Sequence, residues 1–132
     1  MINKTGRFSK NKLSDDFIMA PDGSEIRLLH ELTGGGLSEC TLPPKKVSLA
    51  VAHRTVEEIW LFTNGCGQVW RKLDQVEEVL NVKKGISLTI SLGTHFQFRN
   101  TGSTPLKFII STMPPWPGDE EAYAVPAKWP SS

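Results

Sequence analysis

A chain of 132 residues has the length of one domain, and its 39% of hydrophobic residues is enough to build a packed core. Its 15 basic and 14 acidic residues leave a net charge of +1, which gives no electrostatic basis for binding nucleic acid or an anionic membrane. No run approaches the ~20 apolar residues of a membrane span. The two cysteines cannot build a disulfide framework, so the cytoplasm is the predicted location.

The two ends of the chain differ in composition from its middle. Residues 1–24 are predicted to form an N-terminal arm, residues 25–113 a β-barrel domain and residues 114–132 a tail rich in proline and tryptophan. Prolines remove backbone donors, so residues 113–121 are expected to lack regular structure. The tail is expected to pack on the barrel through its tryptophans. Its acidic run, Asp119-Glu120-Glu121, is expected to be solvated.

Short apolar segments separated by turn residues predict a series of strands. Val47, Leu49 and Val51 would share one strand face, and His53 continues that face. After a strand over residues 59–62, Asn64-Gly65 predicts a hairpin, because both residues tolerate a positive φ. The remaining strands are predicted over residues 25–29, 67–71, 79–82, 86–90, 96–98 and 106–110. No helical period persists for a dozen residues, so the sequence predicts an all-β, antiparallel sandwich or barrel.

The segment that begins at His53 has the spacing of a known motif. Four residues separate His53 from Glu58, and six separate Glu58 from Gly65. This spacing resembles the first motif of the cupin superfamily, which runs Gly, His-x-His, Glu, Gly. Val51 stands at the position of the first His of that motif, and Lys45 at that of its leading Gly.

A later segment resembles the second cupin motif. Gly85, Gly93 and Asn100 match the glycines and the asparagine of that motif at the family's spacing. Ser91 and Phe96 stand at its Pro and His positions. The resemblance covers most of the chain and implies a double-stranded β-helix, the antiparallel jelly-roll barrel of cupins.

In metal-bearing cupins, two His and a Glu from the first motif converge with the His of the second, a ligand set suited to Mn, Fe, Ni or Zn. Two of these four positions are apolar in this chain. A divalent metal would therefore rely on His53, Glu58 and His95, which lies one place before the family's position. Strand alternation puts His95 opposite Phe96, unless a β-bulge ahead of it turns the ring inward.

His53 and Glu58 are candidate catalytic residues without a metal as well. Both are expected to point into the barrel, where burial raises the pKa of the carboxyl and an imidazolium neighbour lowers it. Such a pair can act as general base and acid; the alternative is a buried hydrogen bond that serves packing. The candidate ligand-binding residues are Trp60, Phe62, Gln68, Arg71, Phe96 and Phe98.

These residues leave three functions open. The first is a small-molecule-binding cupin that acts as an isomerase- or epimerase-like enzyme on a sugar-like or small polar substrate. The second is a metal-dependent oxygenase, and the third is a non-catalytic ligand-binding module. The predicted partner in each case is a small molecule, and four tryptophans in so short a chain predict a homodimer that covers them.

Overall fold

The structure, a computed structural model, describes residues 8–132, so the predicted N-terminal arm lies partly outside it. Within this range the chain forms eleven strands and one short 3₁₀ turn, Asp119–Glu121. The strands are β1 (Ile18–Met19), β2 (Glu25–Leu32), β3 (Gly35–Leu42), β4 (Val51–His53), β5 (Glu57–Asn64), β6 (Cys66–Leu73), β7 (Val76–Lys83), β8 (Ser87–Ile90), β9 (His95–Asn100), β10 (Leu106–Met113) and β11 (Ala122–Ala124). In these 125 positions no helix has the length and hydropathy that a membrane crossing requires.

The strands build two antiparallel sheets that face each other. The first sheet has the order β1-β2-β3-β10-β5-β8, and the second has the order β11-β4-β9-β6-β7. Neighbours in each sheet are mostly distant in sequence, which is the strand exchange of a jelly roll. The predicted all-β, double-stranded β-helix is confirmed. The division of the chain at residues 24 and 113 stays a prediction.

A cluster of aromatic rings fills the space between the sheets. The rings of Trp60 and Phe108 stack with centroids 4.4 Å apart, and Phe62 and Phe98 contact Phe108 at 4.7 and 5.2 Å. All four side chains are at most 1% exposed. They come from β5, β9 and β10, so the cluster ties the two sheets together and fixes the inward face of each strand.

The hairpin predicted at Asn64-Gly65 is wrong. Gly65 does turn the chain, with φ +80°, and a Cβ there would lie 2.5 Å from the Pro105 carbonyl oxygen. However, β5 already has β10 and β8 on its two edges, so it has no edge left for β6. The chain instead crosses to the second sheet, where β6 pairs with β7 and β9. The local turn chemistry was read correctly, but the pairing depends on strands far away in sequence.

The strand predicted from Val47 onward is also shorter than expected. Only Val51–His53 is extended in a ladder, and Leu49 is 48% exposed. Val51 and His53 nevertheless share one inward face, as period-two alternation requires.

The tryptophans are largely covered within a single chain. Trp60 and Trp70 are 1% and 4% exposed, and Trp116 and Trp129 are half-buried. Trp129 is held by Gln97, whose amide bonds the backbone of the tail, and by the Arg99 guanidinium 4.2 Å above its ring. A partner subunit is therefore not needed to cover these tryptophans, and the homodimer stays a prediction.

Asn100 joins the loop between β9 and β10 to the end of β3. It is 3% exposed, its amide donates to the carbonyl oxygens of Leu42 (2.9 Å) and Thr104 (2.8 Å), and its Oδ1 accepts from the Gly102 amide (2.9 Å). We expect Asn100→Ala to lower the free energy of unfolding by about 3 kcal/mol, since each buried bond contributes about 1 kcal/mol. Urea denaturation measures this loss.

The matched control is Asn81→Ala. Asn81 is exposed and makes a single side-chain bond, to Gln68 at 3.1 Å. Its loss should change the free energy of unfolding by about 0.5 kcal/mol. Equal effects of the two substitutions would contradict the role given to Asn100.

Candidate functional site

A cavity of about 90 Å³ lies between the two sheets. The β1–β2 turn, β4, β5, β9, β10 and the tail all contribute to its wall. Most of the wall is apolar, and its rings include those of Trp60, Phe96, Phe98, Phe108 and Trp116. A concave apolar site with few polar groups is typical of small-molecule binding.

Glu58 reaches this cavity through the alternation of β5, where residues 58, 60 and 62 face inward and residues 57, 59 and 61 face outward. Its side chain is 6% exposed, and its Oε1 accepts a hydrogen bond from Trp60 Nε1 at 2.9 Å. Burial raises the pKa of Glu58 to about 7, the nearby Asp22 carboxyl adds to the rise, and the Trp60 bond opposes it. The carboxyl therefore titrates near neutral pH.

His53 lies across the cavity on β4 and is 5% exposed. Its ring makes edge contacts with Phe96 and Trp116 at centroid distances of 5.1 and 5.0 Å. Burial lowers the pKa of His53 to about 4, although the Glu121 carboxylate partly opposes this shift. The imidazole is therefore neutral at pH 7. In the part of the chain that the structure describes, its Nδ1 is buried and has no hydrogen-bond partner.

The predicted pair thus shares a cavity but not a bond. No hydrogen bond between the described residues joins His53 to Glu58. The electrostatic neighbour of the imidazole is Glu121, not the predicted Glu58. The buried His–Glu bond considered from the sequence is absent from the described contacts. Among those contacts the Nδ1 of His53 has no partner, whereas the Glu58 carboxyl is bonded by the side chains of Trp60 and Thr112.

Two acidic residues of the site were missed in the sequence. Asp22 was read only as part of a turn; its carboxylate accepts bonds from the amide and the hydroxyl of Ser24 at 3.0 and 2.6 Å. Its side chain lines the cavity, and burial raises its pKa. An aspartate followed by a turn glycine is usually exposed, so nothing in the sequence indicates that the Asp22 side chain faces the core.

The expectation that Glu121 is solvated is wrong. Its side chain is 5% exposed and accepts bonds from the Thr55 amide, the Val56 amide and the Thr55 hydroxyl at 2.6, 2.8 and 2.7 Å. Burial alone would raise the pKa of Glu121, but these bonds outweigh it and the pKa is lowered. Its neighbours Asp119 and Glu120 are exposed, as expected.

Of the six predicted ligand-binding residues, Trp60, Phe96 and Phe98 line the cavity. Phe62 packs deeper in the aromatic cluster. Gln68 lies on the other face of β6, where its Oε1 accepts from Arg99 at 3.0 Å. Arg71 donates to the Thr89 carbonyl oxygen at 2.8 Å and pairs with Glu78, away from the cavity.

The structure does not bring the three predicted metal ligands together. His95 begins β9 opposite Lys72 and faces away from Phe96, so it does not line the cavity. Among residues 8–132 no group of three or more His, Cys, Asp or Glu side chains could hold a metal ion. Val51 and Phe96, which occupy two family ligand positions, are direct partners across β4 and β9. The residues present therefore do not fit the divalent metal that the resemblance implies.

No family model matches the chain. It is 36% identical over 100 residues to the uncharacterized protein MJ1618 of Methanocaldococcus jannaschii, a match that spans 72% of this chain and 77% of that protein. Among solved structures, the capsular polysaccharide assembling protein CapF of Staphylococcus aureus aligns with a TM-score of 0.67 and 15% identity, over 93% of this chain but 33% of CapF.

A second solved structure of the same fold is the cupin domain of Cnp3 from Schizosaccharomyces pombe. It aligns with a TM-score of 0.62 and 10% identity, over 69% of this chain and 64% of that domain. At these identities the likeness concerns the fold. Together with the two sheets and their strand order, it shows that the chain has the cupin fold.

Proposed function

We propose that this cupin binds a small molecule in the cavity between its sheets, with Glu58 and His53 as the polar contacts. The observation that carries the proposal is the Nδ1 of His53, which has no hydrogen-bond partner among residues 8–132 although the residue is only 5% exposed in the cavity wall. Buried polar atoms are nearly always bonded, and an orphaned one costs about 1–3 kcal/mol. A ligand with a matching polar group would remove that cost.

The size of the cavity limits the ligand. A dry protein cavity of about 150 Å³ accepts benzene, so about 90 Å³ suits a molecule smaller than benzene. A sugar ring carries several hydroxyl groups, and each would need a partner that an apolar wall does not offer. Of the two substrate classes predicted from the sequence, the small polar substrate therefore fits the cavity better than the sugar-like substrate. A larger ligand would require Trp116 to move aside.

The pKa values favour Glu58 as the group that exchanges a proton with the ligand. A general acid or base works best when its pKa is near the working pH, and the pKa of Glu58 is about 7. His53, with a pKa of about 4, is a weaker base at neutral pH. In the isomerase- or epimerase-like activity, Glu58 would move the proton and the neutral His53 would orient the ligand, which exchanges the roles expected from the sequence.

The first prediction concerns binding. We expect a screen of compact fragments to find molecules that change the tryptophan fluorescence, because Trp60 and Trp116 line the cavity. Their affinity should fall about tenfold or more in His53→Phe and in Glu58→Gln, because each variant removes one buried hydrogen bond to the ligand. Proton exchange into a binder with an acidic C–H should persist in His53→Phe and stop in Glu58→Gln if the protein is an enzyme.

The matched control for this screen is Glu57→Gln. Glu57 neighbours Glu58 but faces outward, where its carboxylate accepts a bond from the Leu92 amide at 3.1 Å. Affinity in this variant should stay within about twofold of wild type, since the change lies outside the cavity. If no compact fragment binds, or if the two cavity variants bind as well as the control, the proposal is wrong.

The second prediction concerns pH and stability. Because the folded pKa of Glu58 lies near 7 and the ordinary value is 4.5, the folded state loses stability as pH rises from 4.5 through 7. The loss is on the order of 3 kcal/mol at 1.4 kcal/mol per pH unit. Glu58→Gln should therefore gain stability relative to wild type between pH 4 and pH 8, as measured by chemical denaturation.

Other groups titrate in the same pH range. The quantity to compare is therefore the change in the free energy of unfolding with pH in the variant minus the same change in wild type. His53 acts in the opposite sense: its folded pKa is lowered from 6.5 to about 4, and its contribution is lost as pH falls through that range. This term is common to wild type and Glu58→Gln and cancels when the pH effects are subtracted. Glu57→Gln should show the wild-type pH dependence, and a Glu58→Gln curve parallel to it would refute the raised pKa.

A further inference from the structure

We infer that the ligand of this cavity is a compact organic ammonium ion, an inference that rests on the small-molecule binding proposed above. Charge is the first argument. The cavity wall carries the carboxyls of Asp22 and Glu58, and no lysine or arginine of the described residues lines it. An anion such as a phosphate or a carboxylate would have no positive partner there and would face two acidic groups.

Hydrogen-bonding capacity is the second argument. An ammonium group has donors only, and the cavity offers acceptors from three separate segments: Asp22 in the β1–β2 turn, His53 on β4 and Glu58 on β5. The Glu58 carboxyl accepts from the Trp60 indole and from the Thr112 side chain, and a carboxylate, with about four acceptor positions, can still accept from a ligand. The neutral imidazole keeps one ring nitrogen as an acceptor, and its buried Nδ1 is unpartnered among the described contacts.

The aromatic wall is the third argument. His53 lies between the rings of Phe96 and Trp116, and Trp60 lies between Phe96 and Phe98 at centroid distances of 5.4 and 5.5 Å. Ring faces attract a cation by about 0.5–2 kcal/mol in a desolvated site and offer little to an anion. The rings also supply the apolar surface that the carbon skeleton of an alkylammonium ion needs.

The charged state of Glu58 then couples binding to pH. The titratable groups that face Glu58 are Asp22 in the β1–β2 turn, the Cys40 thiol on β3, His53 on β4 and Glu121 in the 3₁₀ turn. Three of them are acids, so none favours ionisation of Glu58 in the empty cavity. A bound cation favours the ionised form of Glu58. The cation should therefore bind more tightly as pH rises through the pKa of Glu58, and its binding should release a proton from the carboxyl.

Three probes of similar size separate the charge classes. They are isopropylammonium, isopropanol and acetate, each with about four non-hydrogen atoms, because benzene with about six occupies a cavity of about 150 Å³. Isothermal titration of the full chain near pH 8 should show isopropylammonium at least about tenfold tighter than isopropanol, with acetate the weakest of the three. At pH 6 the affinity for the ammonium should fall about tenfold, while that for the alcohol should change less than about twofold.

Variants assign the effect to the carboxyl. Glu58→Gln should remove both the roughly tenfold preference for the ammonium and its pH dependence, and should still bind isopropanol. Glu57→Gln, with its carboxyl on the outer face, should keep both. If Glu58→Gln does not fold, the pH series on the wild-type chain decides alone, because it needs no substitution.

The outcomes separate the two proposals. Equal or tighter binding of isopropanol or acetate overturns the ammonium inference and leaves small-molecule binding in place. An ammonium affinity that does not change between pH 6 and pH 8 also overturns it. Failure of all three probes and of the fragment screen overturns both.

Discussion

Side chains along β5 alternate between the core and the outer face, and this alternation puts Glu58 on the same side as Trp60 and Phe62. A carboxyl is thereby held in a wall of aromatic rings that cannot rearrange without opening the core. Shifting the strand by one residue would bring Ile59 and Leu61 inward and expel the aromatic pair, so the core itself fixes the register. The unusual pKa of Glu58 is a consequence of that register.

The fold was predictable because its signals are local or periodic. Turn residues between short apolar runs located most strands, and the spacing of Glu58, Gly65 and Asn100 indicated the strand exchange of a cupin. The prediction of a hairpin at Asn64-Gly65 was wrong because the same turn can lead to a hairpin or to a crossing between sheets. Which of the two forms depends on whether β5 has a free edge.

The site was predictable only in part, because only its strand residues follow a period that the sequence shows. Alternation correctly placed Trp60, Phe96 and Phe98 at the cavity. Asp22 and Glu121 reach the site from loops, whose side-chain directions follow no period and depend on bonds to Ser24 and Thr55. No pattern in a single sequence marks a carboxylate that will accept backbone amides from a segment 65 residues away.

Replacement of ligands by apolar residues changes what the remaining polar groups can do. Val51 and Phe96 stand at two family ligand positions and face each other across β4 and β9, so they fill the space with hydrocarbon. Without a cation beside it, a buried carboxylate is disfavoured and its pKa rises, as that of Glu58 does. With apolar side chains at those two positions, the carboxyl of Glu58 titrates near pH 7.

Glu58 and Glu121 differ in both burial and hydrogen bonding, and their pKa values move in opposite directions. Both residues are little exposed, 6% and 5%, but Glu58 lies deep between the sheets, whereas Glu121 lies in the 3₁₀ turn beside the exposed Asp119 and Glu120. Glu121 accepts two backbone amides and a hydroxyl, which favour its ionised form and fix the tail to the loop before β5. Glu58 accepts bonds from the side chains of Trp60 and Thr112, but the cost of desolvation outweighs them and its pKa rises. A carboxyl held by backbone amides near the surface stays ionised, whereas one buried between sheets without a cation is held closer to its neutral form.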